Sequence, residues 1–375
     1  MREKKIRCRL KEGDIEILQK IKGVNFSKSL TINSRPRLTT NEYSRLIKER
    51  INLSNNVFSN KDKELEKEFK ERREEFDDFI KLTSQQGMFE IYDIAQAPKS
   101  GERSTIAIAQ FSDQHIDEVV LSESVMGMNE YNLDIATNRF KTHFAKLHKL
   151  ITHHQSHYNI KEAVLLFEGD TIGGWIHDEL AQTNSLSPNE AIYHAKSLYV
   201  SGLKYLDENL NVDKITVVCI CGNHSRETKR IQYRNFNDTN KEYWMYLEIK
   251  SICEMLGLKK VEFIIPKSEM AVISLFDKKY LVAHGHQFKY AGGIGGIFPS
   301  MLRWFSGMAK TLGVETAFIG HYHQSIFTKR VIVNGSLKGY DAYALGKNLE
   351  YEKPSQNLIL LDSQYGFCSY QPIIL

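Results

Sequence analysis

The chain has 375 residues, 42% hydrophobic and 26% charged, with a net charge of +4. These proportions suit an ordinary folded globular protein, with length enough for one large domain and a smaller one. No uncharged stretch approaches the roughly 18 apolar residues of a membrane span, and no apolar segment backs the charged start Met1–Arg7, so neither a membrane partner nor a secretory leader is expected.

In chain order, residues 1–50 come first, with fourteen Lys and Arg against six Asp and Glu, a balance of +8. The remainder is slightly acidic, and a basic arm on such a body fits a polyanionic partner, with a merely solvated surface as the alternative. Short helices are predicted over 14–22 and 40–52, the second opened by Thr39-x-x-Glu42, a capping-box pattern. Ser34-Arg35-Pro36-Arg37 between them reads as a turn or extended arm, and the pair would allow a small helix-turn-helix. Lys61 to Leu82 is heavily charged, with Leu65, Phe69, Phe76, Phe79 and Ile80 at helical spacing. That pattern predicts an amphipathic helix that packs on the rest of the chain or pairs with a second copy, giving a homo-oligomer. Residues 1–86 thus form a basic, mainly helical region, 87–102 (with Gly87, Pro98 and Gly101) a linker, and 103–375 the main domain. There, strands are predicted near 105–111, 162–167 and 215–220, alternating with helices 134–157, 188–208 and 240–256. Hairpins follow near 270–284, 316–334 and 357–371. Alternation followed by hairpins fits an α/β fold of mixed sheets packed face to face with helices outside. Five cysteines without C-x-x-C spacing point to a reducing, cytoplasmic setting, Cys219 and Cys221 being packing residues on one face of a strand.

Five motifs carry the chemistry: Asp113-Gln114-His115, Gly169-Asp170, Gly222-Asn223-His224, His284-Gly285-His286 and Gly320-His321-Tyr322-His323. Each supplies carboxylate, amide oxygen or imidazole, the ligands of borderline to hard divalent metals. Each follows an apolar run that reads as a buried strand: Ile106–Phe111, Ala163–Phe167, Ile215–Ile220, Tyr280–Ala283 and Thr316–Ile319. Ligands at the C-terminal ends of such strands point into one crevice. If the motifs stay extended, Asp113 and His115 face the same side, as do His321 and His323. By contrast His143, His148, His153, His154, His157, His177 and His194 lack motif context and are expected to be surface or helix-packing residues.

With these blocks in this order, residues 103–375 resemble the calcineurin-like metallophosphoesterases, whose pattern runs D-x-H, G-D, G-N-H, H and G-H-x-H. Ser225 departs from it, standing where many members carry an acid. The chain looks most like the members encoded by phages and prophages, through Asn129-Glu130-Tyr131-Asn132-Leu133-Asp134, the glycine-rich segment from Tyr290 to Gly296, and Val333-Asn334-Gly335-Ser336-Leu337-Lys338-Gly339-Tyr340. The resemblance implies a four-layer αββα sandwich of two mixed β-sheets and two metal sites. Asp113, His115, Asp170 and His323 would hold one ion, and Asp170, Asn223, His284 and His321 the other, with Asp170 bridging. It also makes His224 a catalytic residue over the phosphate, in a bacterial or phage-infected cell. His286 is a candidate to support the ligand His284. Mixed nitrogen and oxygen ligation suits Mn²⁺, Fe or Zn²⁺ better than Mg²⁺, and two divalent ions, Mn²⁺ first, are expected.

Two segments are candidate substrate contacts. Arg226, Lys229, Arg230, Tyr233, Arg234 and Phe236, then Tyr243 and Trp244, interleave cations with aromatics, which suits a single-stranded nucleic acid. Lys289 and Tyr290 open the glycine-rich stretch, which would allow a close backbone approach or a mobile lid. Arg303-Trp304 read as helix packing. Three functions are consistent with these features. The first is a phosphodiesterase, foremost a DNA or RNA nuclease of phage or prophage DNA metabolism. The second is a phosphatase or phosphodiesterase of a small nucleotide, cyclic nucleotide or phosphoprotein. The third is a nucleic-acid-binding or assembly protein whose hydrolase activity is incidental.

Overall fold

The computed structural model describes residues 90–98, 102–289 and 296–375, and within 1–87 only Lys5–Arg7, Arg37–Thr39, Arg45, Leu46, Lys48 and Glu49. The chain divides into two compact units, Met1–Gly87 and Met88–Leu375. In the first, β1 (Lys5–Arg7) pairs antiparallel with β2 (Arg37–Thr39), a strand pair that the mainly helical expectation did not include. Arg45, Leu46, Lys48 and Glu49 are helical, within the predicted helix 40–52. The predicted helices 14–22 and 61–82 lie outside the described residues.

The second unit contains two six-stranded sheets. One has the order β14-β13-β4-β5-β6-β7, from β4 (Thr105–Phe111), β5 (Ile160–Phe167), β6 (Lys214–Cys219), β7 (Val261–Ile264), β13 (Ser355–Asp362) and β14 (Gly366–Ile374). Its strands β4 to β7 are parallel, while β13 and β14 form an antiparallel hairpin added to β4. The other has the order β11-β12-β10-β9-β8-β3, from β3 (Ile91–Ala95), β8 (Met270–Leu275), β9 (Lys278–Ala283), β10 (Thr316–Ile319), β11 (Ile326–Phe327) and β12 (Val331–Val333).

Alternate residues of the central strands feed two different cores, which explains their nearly unbroken apolar sequence. On β5, Ala163, Leu165 and Phe167 face an outer layer with Phe140, Phe144, Tyr199 and Tyr246, while Val164 and Leu166 face the second sheet. The outer layer is formed by α1 (Leu133–His154), α3 (Pro188–Asn209) and α4 (Lys241–Met255); the short α2 (Asp178–Thr183) precedes α3. On the second sheet, Ala271, Ile273, Tyr280, Val282 and Phe318 face inward. Leu281, Ala283, Ala317 and Ile319 face outward onto Met301 and Phe305 of α5 (Phe298–Leu312). The unit is therefore a four-layer αββα sandwich of two mixed sheets, as expected.

Local sequence sets the helix ends. Ser187 and Glu190 close a capping box around Pro188 at the start of α3, and Asn132 caps α1 by accepting from the Ile135 N–H at 3.0 Å. Two predictions are corrected. The linker 87–102 contains β3, which pairs parallel with β8 at the sheet edge. Only Ile94 and Ala95 of it are buried, too few to give a readable strand pattern. The 316–334 segment is not a simple hairpin: β10 and β12 are parallel, and β11 returns antiparallel to β12. Among the described residues no helix is long and apolar enough to cross a membrane.

Candidate metal centre

Strands β4, β5 and β6 end level, Phe111 lying opposite Phe167 and Phe167 opposite Cys219. The motif turns that follow therefore stand side by side. They are laced by backbone hydrogen bonds: the Asp113 N–H donates to the Gly169 carbonyl (3.0 Å), the His115 N–H to that of Asp170 (3.1 Å), and the Gly320 N–H to that of His284 (2.8 Å). Close approach demands glycine here. A Cβ on Gly169, whose φ is +84°, would lie 2.0 Å from the Gly222 nitrogen, and one on Gly222 would lie 2.1 Å from an Asp170 carboxylate oxygen.

The expectation that the motifs stay extended is corrected. Asp113 (φ 54°), His115 (45°), Asp170 (53°), His321 (71°) and His323 (55°) all adopt left-handed backbone, each at a cost of about 1–3 kcal/mol. The N–H groups of Asp113 and His115 bond to the second motif turn, and that of His321 to the Asp113 carboxylate, instead of continuing a strand ladder. The side chains still meet in one crevice, by turning rather than by alternation.

Three three-residue groups converge among the described residues, Asp113 with His115 and His323, Asp170 with His284 and His321, and His115 with Glu118 and His224, ligand atoms lying within 4.8 Å of one another in each. In the first, the Nε2 atoms of His115 and His323 are 3.2 Å apart and His323 Nε2 is 3.4 Å from Asp113 Oδ1. Asp113 also accepts from the Ser112 hydroxyl and, at 2.9 Å, from the His321 N–H. In the second, His284 Nε2 lies 2.8 Å from Asp170 Oδ2, while His284 Nδ1 meets the Glu168 carbonyl at 2.6 Å, so Nε2 is the nitrogen left for the centre. The His224 N–H donates to Asp170 Oδ1 at 2.7 Å.

The electrostatics call for a cation. Burial by itself would raise the Asp113 carboxyl, but the hydrogen bond and charge of His323 hold it at about 2. Asp170 is held well below the ordinary carboxylate range against its burial by the charges of His284 and His224. His284, which burial would lower, is pushed up to about 10 by the charge and hydrogen bond of the Asp170 carboxylate. Burial lowers His115 to about 4 and, with the charge of His284, takes His321 well below its usual value. Metal ions fit these residues: Asn223 Oδ1 is buried with no hydrogen-bond partner among the described residues. Asn223 Oδ1 and the second group's nitrogens are ordinary metal donors.

Three buried acids that the motif pattern did not single out hold the turns. Glu242, in the first turn of α4, accepts from the Thr171 N–H (2.6 Å) and the Gly222 N–H (2.7 Å), joining the second and third motifs. Burial and the nearby Asp170 charge raise its carboxyl to about 7. In sequence, an acid in a first turn reads only as a partner for the helix dipole. Asp117 accepts from the N–H groups of Gly173 (2.5 Å) and Gly174 (3.2 Å), and the Gly173 carbonyl meets His224 Nδ1 at 2.8 Å. Glu118 lies 2.8 Å from His115 Nδ1. Ser225, the departure from the family pattern, is buried with its hydroxyl unpartnered.

The other predicted positions divide. His224 is partly exposed, edge-on to His115 at 4.8 Å between ring centroids. His286 lies beside His284, stacked on Phe236 and 3.5 Å from Glu269. Lys229, Arg230 and Lys289 are exposed. Arg226 is not a free cation, since its guanidinium donates to the carbonyls of Asn223 and Thr228 and braces the third motif. Phe236 and Tyr243 are packed into the core, while Tyr233 is exposed. Trp304 packs on Phe288. Tyr290 and the glycines to Gly295 lie outside the described residues. Among the remaining histidines His143 is buried against Phe111, a packing role as expected.

No family model matches the chain, and no curated protein matches it. Among solved structures it is similar to a hypothetical protein from Pyrococcus horikoshii OT3, with 12% identity and a TM-score of 0.33 over 72% of this chain and 88% of that one. It is also similar to Vacuolar Protein Sorting 29 from Cryptosporidium parvum, with 13% identity and a TM-score of 0.30 over 72% of this chain and all of the other (100%). Both scores are too low to carry weight, so the chain's own residues decide: two buried His/Asp groups able to hold metal ions sit at the strand ends of an αββα sandwich.

Proposed function

We propose that the unit Met88–Leu375 is a calcineurin-like, dinuclear metal-dependent phosphoesterase that hydrolyses phosphodiester bonds. The observation that carries this is the meeting of the two ligand groups beside the partly exposed His224. Asp113, His115 and His323 would hold one ion, and Asn223, His284 and His321 the other, with Asp170 shared between them. Divalent ions held there, Mn²⁺ first, supply charge neutralisation and a nucleophilic water at neutral pH. The chain's own part centres on His224. With Nδ1 donating to the Gly173 carbonyl, its Nε2 is turned toward the centre, 4.0 Å from Asp170 Oδ2. A proton carried on Nε2 can hydrogen-bond a phosphate oxygen and then pass once, to the leaving oxygen, which leaves a neutral ring with Nδ1–H on the Gly173 carbonyl.

A nuclease of phage or prophage DNA metabolism is the substrate reading we favour. Lys229, Arg230, Tyr233 and Arg234 are exposed just beyond His224, and Trp175 is exposed next to the Gly173–Gly174 turn that fixes it. Cations for phosphates and aromatic faces for bases are what a single strand requires. A small phosphoester is the second reading, favoured by the engagement of Arg226 with backbone and the burial of Phe236 and Tyr243.

The test is to incubate Mn²⁺-loaded protein with labelled single- and double-stranded DNA and RNA alongside bis-p-nitrophenyl phosphate. His224→Ala should slow cleavage by about 10²–10⁴-fold while Mn²⁺ uptake is kept. Polymer cleavage lost in the variant supports the nuclease. Turnover of the small ester alone selects the second reading, and no turnover of any ester overturns both.

A further inference from the structure

Lys338 is a cation in a place where lysine is rarely found. It is 3% exposed, and its ammonium bridges two carboxylates, Glu118 at 2.6 Å and Asp341 at 2.7 Å. Burying an ammonium is expensive, and such a group persists only when it is paired and its surroundings are fixed. They are fixed from several sides. The Lys338 carbonyl accepts from Asn129 Nδ2 (3.0 Å) and from the Arg139 guanidinium (2.7 Å), and Asp341 also caps α6 (Ala342–Gly346) by accepting from the Ala344 N–H. The flanking residues grip the first motif. Ser336 donates to the Asp113 carbonyl at 3.0 Å, and Asn334 donates to the Ser112 hydroxyl at 2.9 Å, which in turn donates to the Asp113 carboxylate. Tyr131 donates to the Gln114 carbonyl. The segments 129–134 and 333–340, distant in sequence, thus form one collar around Asp113-Gln114-His115.

We propose that Lys338 is a positioning residue for the site of Asp113, His115 and His323, acting through Glu118. Held by Lys338 on one oxygen, Glu118 presents its other oxygen 2.8 Å from His115 Nδ1. Nδ1 makes this close contact without an aligned hydrogen bond among the described residues, and the contact sets the ring so that Nε2 faces His323 Nε2 at 3.2 Å, ready to ligate. Among the described residues no hydrogen bond or ion pair joins Lys338 or Glu118 to His284, His321 or Asn223. Loss of Lys338 or Glu118 therefore weakens one ion and spares the other.

This role rests on the two-metal reading given above, and the test separates the two. The full chain is titrated with Mn²⁺ and free ion is counted by its electron paramagnetic resonance signal. The parent takes up two ions. Glu118→Gln, which leaves the Lys338–Asp341 pair in place, and Lys338→Met each weaken one ion by about 10–100-fold and leave the second unchanged. Lys338→Arg restores part of the loss. A merely structural role would weaken both ions together, following the loss of thermal stability, and would overturn the proposal. So would two ions bound as tightly as in the parent. If Lys338→Met does not fold, Glu118→Gln alone decides. A parent that takes up no Mn²⁺ overturns the metal reading and this role with it.

Discussion

At the scale of single residues, His143 shows how burial alone sets a titration. Its ring lies 4.0 Å from that of Phe111, both ring nitrogens lack hydrogen-bond partners among the described residues, and burial takes its pKa down to about 3. The unfolded chain therefore takes a proton near pH 6.5 that the folded chain refuses. The neutral form's stability is complete above that pH and declines as pH falls toward 3, by up to about 1.4 kcal/mol per unit. Urea midpoints from pH 7 to 4 should fall less steeply for His143→Leu than for the parent, and equal slopes would refute the assignment. The residues that converge at the strand ends were legible as candidates because each combines a ligand-type side chain with an apolar run before it and, at four of the five motifs, a glycine. The left-handed backbone at Asp113, His115, Asp170, His321 and His323 was not, because nothing in an aspartate or histidine marks such a turn when neighbouring turns impose it.

Among the elements, the long buried ones were read closely. Strand 105–111 and helix 188–208 match Thr105–Phe111 and Pro188–Asn209, the first by its apolar run and the second by its Ser-Pro-x-Glu start. What failed was non-local. The edge strand β3 buries too little to show a period, and the parallel pairing of β10 with β12 depends on which strands meet, not on either sequence. Glu242 is the element-scale link that sequence concealed, a helix residue whose carboxylate ties the turns after β5 and β6. Glu242→Gln keeps one acceptor oxygen, and Glu242→Ala keeps none. With about 1–3 kcal/mol for each buried N–H left unpaired, the alanine variant should lose roughly twice as much stability as the glutamine variant in urea unfolding. Equal losses would mean that the two hydrogen bonds are not separately important.

For the molecule as a whole, bound ions stabilise only the folded state. Mn²⁺ at 100 times its Kd should add about 2.7 kcal/mol per ion, so the melting temperature should climb with Mn²⁺ and drop on chelation; a melting temperature indifferent to both would contradict the metal reading. The sandwich also has a consequence for where the candidate ligands come from. Asp113, Asp170 and Asn223 follow strands of one sheet, whereas His284, His321 and His323 follow strands of the other. The sheets are held at their spacing by interlocked side chains such as Ile108, Leu166, Ile273 and Phe318. That layer works as a gauge block: its thickness sets the gap between the two halves of the ligand set. Interiors this dense transmit strain instead of absorbing it, so a methylene added deep between the sheets would register at the crevice as a change in bite.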